Sequence, residues 1–198
     1  ALASARSQLE AQHAIQTMIA CEAPLESTLA EITRMLERQL PGSLCSIMLA
    51  SEDGRVLRLA AGGSLPAAYC EGIREIAIGP RVGACGSAAF LQAPVVCDDL
   101  AQDSRWAGFH PLLRQHGLAA CWSCPVLGSD GRLLGTFATY YRQPGAPDSG
   151  EMALLEKAAG LVALAVERQQ SRRSLRLLER SVESSVNGVV IVDANRPD

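Results

Sequence analysis

The chain has 198 residues, a formal net charge of −3 and a hydrophobic content of 48%, enough for one full core with appended pieces. Only one of its 18 basic residues is a lysine, and the slightly acidic balance excludes the basic footprint of a nucleic-acid or anionic-lipid binder. No apolar run reaches the ~18–20 residues of a membrane span. No charged segment followed by an apolar stretch marks a secretory leader. A cytoplasmic protein with neither membrane nor nucleic-acid partners is therefore expected.

Residues 4–20 carry Leu9, Ile15, Met18 and Ile19 at helix-like spacings, and 1–21 is predicted to be a linker helix. After Pro24, Leu25, Leu29, Ile32, Leu36 and Leu40 recur every three or four residues and predict an amphipathic helix ended by Pro41-Gly42. "SLCSIMLA" and "RVLRLAA" read as a β-hairpin about Asp53-Gly54. "LPAAYCEGI" predicts a short helix and "REIAIG" a short strand. "GPRVGACGSAAFLQ" is punctuated by glycine and leads into a helix around Ser87–Leu91, and "APVVCDDL" is a strand. "AQDSRWAGFHPLLRQHG" reads as a long loop holding a helix that ends at Gly117. "LAACWSCPVLG" and "LLGTFATYY" are two strong strands turning at "SDGR". A long helix is predicted over 151–180, and the last 18 residues change to a short β-like run. The expected fold is α+β: a six-stranded, largely antiparallel sheet with helices at both chain ends.

The seven cysteines stand at 21, 45, 70, 85, 97, 121 and 124. An odd number in a chain of this size, mostly in apolar runs, fits reduced, buried thiols rather than a disulfide framework. Cys121-Trp122-Ser123-Cys124 has the spacing of half a zinc knuckle or a redox pair. Its flanks read as a strand, where residues i and i+3 point to opposite faces about 10 Å apart. Such a pair cannot share a metal or a disulfide, and no metal site is expected. His13, His110 and His116 lie apart, and His116 before Gly117 fits a helix end. Gly83-Ala84-Cys85-Gly86 lacks the spacing of a phosphate loop. Asp98-Asp99 is open to a cation or to a turn. Trp106, on the long loop, is placed either to close a pocket or to anchor the loop.

Several stretches together resemble a GAF domain of the kind found in bacterial multidomain sensors with histidine kinase, diguanylate cyclase or cyclic-di-GMP phosphodiesterase modules. They are Gly83-Ala84-Cys85-Gly86, the Val96–Asp99 strand end, Trp106, Gly117-Leu118, Ala120-Cys121-Trp122-Ser123, Leu134–Ala138, Tyr140-Tyr141-Arg142 and Ala165–Arg168. The resemblance covers roughly residues 22–168, with 169–180 as a signalling helix. "LERSVESSVNGVVIVDANRPD" resembles the opening of a PAS domain, so 181–198 is expected to be its truncated start. Because the chain begins at Ala1, it is expected to be a piece of a longer protein.

The resemblance implies a six-stranded sheet with helices on one face and a small-molecule pocket on the other. It names neither ligand nor cofactor. Bilin-binding relatives carry a Pro-x-Ser-Asp-Ile-Pro stretch that is absent here. In free methionine-(R)-sulfoxide reductases, Cys85 and Cys97 resemble two redox positions, but the family's acidic stretch is missing and its third cysteine has no counterpart. The expected function is a non-enzymatic sensory module, with no catalytic residue. It would relay a signal through its terminal helices to a downstream PAS or output domain, as a homodimer. A thiol-based reductase and a spacer with a collapsed pocket remain the alternatives.

The strand alternation assigns a pocket face. Cys121 and Ser123 on one central strand and Thr136, Ala138 and Tyr140 on the other are the smaller or more polar parity. Trp122, Cys124, Phe137 and Thr139 are expected to face the helices. With Cys85, Cys97 and Trp106, these five complete the candidate ligand-binding set, and residues 83–117 are expected to form its lid. The leucines at 154, 161 and 175, and at 164 and 178, keep heptad spacing. An apolar strip is expected between two copies, with Leu161 and Leu164 as its test positions.

Overall fold

A computed structural model describes the backbone of residues 2–193 and the side chains of 9–182. The helices are α1 (Leu2–Ala20), α2 (Leu25–Gln39), α3 (Ala67–Gly72), α4 (Gly83–Leu91), α5 (His110–His116) and α6 (Ser149–Asp193). The strands are β1 (Leu44–Ala50), β2 (Val56–Ala61), β3 (Glu75–Ala77), β4 (Val95–Cys97), β5 (Ala120–Leu127) and β6 (Leu133–Tyr141). They form one antiparallel sheet of order β3-β2-β1-β6-β5-β4. This is the expected α+β architecture.

Local chemistry explains the element ends. Asp148 and Glu151 exchange side-chain bonds with each other's backbone N–H groups at 2.8 and 2.9 Å, a capping box that starts α6. Gly117, at φ +63°, closes α5 by donating to the carbonyls of Arg114 and Leu113. In β6, a Cβ on Gly135 would run into the Met48 carbonyl, so glycine lets β1 and β6 approach.

The sheet divides the core in two. On one side α1, α2 and α6 bury Ile15, Leu29, Ile32, Leu36, Leu155 and Val162 against Cys45, Ile47, Trp122, Cys124 and Phe137. On the other side α3, α4, α5 and a 3₁₀ turn over Ser104–Phe109 cover Met48, Cys121, Ala138 and Tyr140. The alternation along β5 and β6 sorts side chains as the sequence predicts. Cys121 and Cys124 fall into opposite cores, which removes any shared metal or disulfide.

Three expectations need correction. Helix α4 begins at Gly83, not near Ser87: a Cβ on Gly86 would lie 2.7 Å from the Ala77 carbonyl oxygen, so this glycine serves close helix–sheet packing rather than a loop. Leu161 is buried in the helix-side core while Leu164 is 48% exposed, so these two leucines do not share one exposed strip. Helix α6 continues to Asp193 where a β-like run was expected. The truncated PAS start assigned to 181–198 lies in its last five residues outside the described residues.

Candidate ligand site

The sheet face under α3, α4, α5 and the 3₁₀ turn brings all eight predicted site residues to one side. Cys97 stands directly across from Cys121 in the β4–β5 pair, and Ser123 across from Ala138 in the β5–β6 pair. Tyr140, fully buried, is the hub. Its hydroxyl lies 3.3 Å from Ser46 Oγ and 3.8 Å from Cys85 Sγ. Its ring meets Tyr69 edge-on at 5.5 Å and Trp106 at 6.5 Å. Trp106 in turn packs edge-on against Phe109 at 5.6 Å and lies over the α-carbon of Gly83. Trp106 thus packs the long loop onto the body of the domain, with Phe109 beside it.

Five polar side-chain atoms on this face are buried without a hydrogen-bond partner: Tyr69 Oη, Trp106 Nε1, His116 Nε2, Ser123 Oγ and Thr136 Oγ1. Each such group costs about 1–3 kcal/mol relative to a paired one. A cluster of them is where a bound molecule gains most. A cavity of about 10 Å³, the room of a single water, lies among Met48, Tyr69, Ile73, Ile76, Val82, Gly83, Cys85, Trp106, Phe109 and Tyr140. No lining residue is charged. Of the five, Tyr69 and Trp106 border this cavity; Ser43, Thr139 and Tyr141 also have unpartnered hydroxyls, away from it.

The thiols here are not activated. Burial pushes Cys85 and Cys121 up, although Ser123, Tyr140 and Thr136 moderate Cys85. Burial likewise pushes Cys97 up to about 12. A nucleophilic or redox cysteine needs the opposite environment, electropositive and accessible. The guanidinium of Arg105 is closed on Asp103, with Nε 2.9 and 3.0 Å from its two carboxylate oxygens, and donates to the Val96 carbonyl. That grip holds the Asp103 carboxyl down at about 2.

Asp98-Asp99 is a turn: Asp99 accepts from the Ala101 N–H and the Gln102 amide. No group of three or more His, Cys, Asp or Glu side chains among the described residues could hold a metal ion. Sequence reasoning missed Tyr69, Met48, Ile73 and Ile76. Tyr69 comes from the six-residue α3, and its inward aim depends on α5, whose His116 ring meets it edge-on. Its one sequence signal was being the only aromatic in that helix.

A family model for the GAF domain matches residues 22–167. The chain belongs to the GAF domain family. A methyl sulfide methyltransferase-associated sensor of Methanosarcina acetivorans is 28% identical over 179 residues, which is 89% of this chain and 18% of that protein. The chain thus spans under a fifth of the length of this curated relative. Among solved structures, the GAF domain of a Coxiella burnetii phosphoenolpyruvate-protein phosphotransferase superposes with a TM-score of 0.70 at 18% identity, covering 84% of this chain and 96% of that one. The free methionine-R-sulfoxide reductase of Neisseria meningitidis, in complex with its substrate, superposes at 0.61 and 20% identity, covering 80% and 87%. At these identities the GAF fold is what is shared. No helix of the described residues is long and apolar enough to cross a membrane.

Proposed function

We propose that this GAF domain is a sensory and regulatory module. It binds a small molecule between its sheet and the 83–117 lid and passes the resulting shift through α1 and α6 to an output domain. The observation that carries the reading is the two-sided construction of β5 and β6. Cys121 and Ser123 face the unpartnered polar cluster, while their neighbours Trp122 and Cys124 pack on the helix side, Cys124 Sγ lying 3.7 Å from Met152 Sδ of α6. A ligand that reshapes one parity displaces the other against α6.

Two further ties sit where α6 leaves the body. Glu167 accepts from Ser129 N and Oγ at the tip of the β5–β6 hairpin, both at 2.7 Å. Arg172 pairs at 2.8 Å with Glu22 at the α1–α2 joint, whose backbone sits at φ +58°. The signal would continue to a PAS or other output domain of a cyclic-di-GMP or histidine kinase protein in the cytoplasm. Leu164, Leu175 and Leu178, all exposed on α6, would pair two copies. The Methanosarcina relative, named a sensor, supports this reading. The buried, protonated thiols speak against reductase chemistry.

The small cavity favours one rival, a spacer with a filled interior. Native mass spectrometry of protein freshly purified from its own host separates the two. The sensor reading expects a dimer carrying a small additional mass per protomer that is lost on denaturation. An unliganded mass would support the spacer.

A further inference from the structure

Resting on the reading of the pocket face as a ligand site, we infer that its ligand is a small uncharged molecule, with an apolar or aromatic body and hydrogen-bond acceptors on its edge, rather than an anion or a nucleotide. Three observations converge on that class.

The first is the kind of group left unpaired. The indole N–H of Trp106 can only donate, and the hydroxyls of Tyr69, Ser123 and Thr136 are free to donate as well. All four residues are buried, Tyr69, Ser123 and Thr136 at 0% and Trp106 at 3% exposure. A guest offering acceptors at the cavity meets Tyr69 and Trp106, and one that reaches the β5–β6 floor meets Ser123 and Thr136 as well.

The second is the absence of any positive charge to receive an anion. No residue bordering the cavity is ionic. Arg105, beside Trp106 on the lid, is already neutralised by Asp103 and anchored to the Val96 carbonyl. The arginines without an ion-pair partner on α6, Arg168, Arg173, Arg176 and Arg180, belong to the helix side of the sheet. There they border a groove with Glu22 and Glu26. An anion drawn from water into the lid face would lose its hydration without gaining a counter-ion. The first turn of α4 reaches the cavity at Gly83, and its amides offer donors, which again suit an acceptor.

The third is shape. Tyr69, Trp106, Phe109 and Tyr140 present ring edges to one another at 5.5 to 6.5 Å. That arrangement receives a flat apolar guest once Trp106 and Phe109 move aside.

The matched probes are benzamide and benzoate, which share a ring and differ in charge. The full chain is labelled with 5-fluorotryptophan. It holds two tryptophans, Trp106 and Trp122, and a Trp122→Phe variant assigns the fluorine resonances. Titration is followed by fluorine NMR. The expected result is a saturable shift of the Trp106 resonance with benzamide, at a dissociation constant at least tenfold below that for benzoate. The Trp122 resonance, on the opposite parity, should move less than that of Trp106 and saturate at the same benzamide concentration. A Tyr69→Phe, Ser123→Ala double variant with an unchanged melting temperature should weaken benzamide at least tenfold and leave benzoate where it was. Benzoate shifting the Trp106 resonance as strongly as benzamide, or more so, would overturn the uncharged class while leaving the site standing. Neither probe moving that resonance at saturation would overturn the class and the site together.

Discussion

The two faces of the sheet share the same strands and are filled by different chemistry. On the helix side, Ile32, Leu36, Leu155 and Val162 close over Phe137 and Cys45 with aliphatic side chains that need nothing but contact. On the lid side, thiols, hydroxyls and the rings of Tyr69, Trp106 and Phe109 gather about Tyr140, and several donors go unpaired. The first face is built for stability; under the proposed function the second gives up stability for an ability to bind. Substitutions on the two faces should therefore behave differently.

The largest effect is expected on the helix side. Phe137 is fully buried, and Phe137→Ala should destabilise the chain by about 3–5 kcal/mol through lost contact and a residual cavity. Urea denaturation checks it: the midpoint should fall with the slope unchanged. On the lid side the sign reverses. Thr136→Val replaces an unpartnered buried hydroxyl with a methyl of similar shape, so it should be neutral or stabilising by up to ~1–3 kcal/mol. The same denaturation curve reads it, and a loss as large as that of Phe137→Ala would erase the distinction between the faces.

Much of this division was legible in the sequence, because a strand has period two. Cys121 and Ser123 against Trp122 and Cys124 had only two possible orientations, and the smaller, more polar pair lies on the face away from α2 and α6. What stayed hidden depended on contacts between distant segments. Gly83 and Gly86 read as loop residues because the close approach of α4 to the β3 backbone is not local. Tyr69 gave no sign that α5 would turn it inward. Leu161 and Leu164 are three residues apart on one helix, and which is covered depends on where α2 and the sheet lie. The run of valines after Asn187 has β-branched propensity, yet the backbone continues α6 through it to Asp193.

A smaller effect concerns the exit helix. Leu164 and Leu178 are 48% and 63% exposed, so Leu164→Glu with Leu178→Glu should leave the folded body intact. The pair should convert a dimer to a monomer by placing like charges across the two-fold axis. Analytical ultracentrifugation at tens of micromolar protein reads the mass, and a wild-type monomer there would remove the helical dimer.

The smallest effect is at the lid's edge. The folded-state pKa of Asp103 lies at about 2, below its ordinary range, chiefly because Arg105 hydrogen-bonds the charged form. Its contribution to stability is therefore present above the unfolded carboxylate range and is lost as the pH falls toward 2. Wild type should exceed Asp103→Asn in melting temperature near neutrality, and the gap should close between about pH 4 and pH 2. A gap that persists at pH 2 would show that the ion pair does not hold the lid.

The most direct test of the division between a rigid face and a responsive one is residue-resolved amide hydrogen exchange on the unliganded chain. The lid residues 99–110 hang on a 3₁₀ turn and a few hydrogen bonds, whereas β5 and β6 are paired along their length at the centre of the sheet. Exchange in 99–110 should be much faster than in 121–126 and 134–140. Protection in the lid as strong as in those strands would contradict the account, because a face that cannot open cannot admit a ligand.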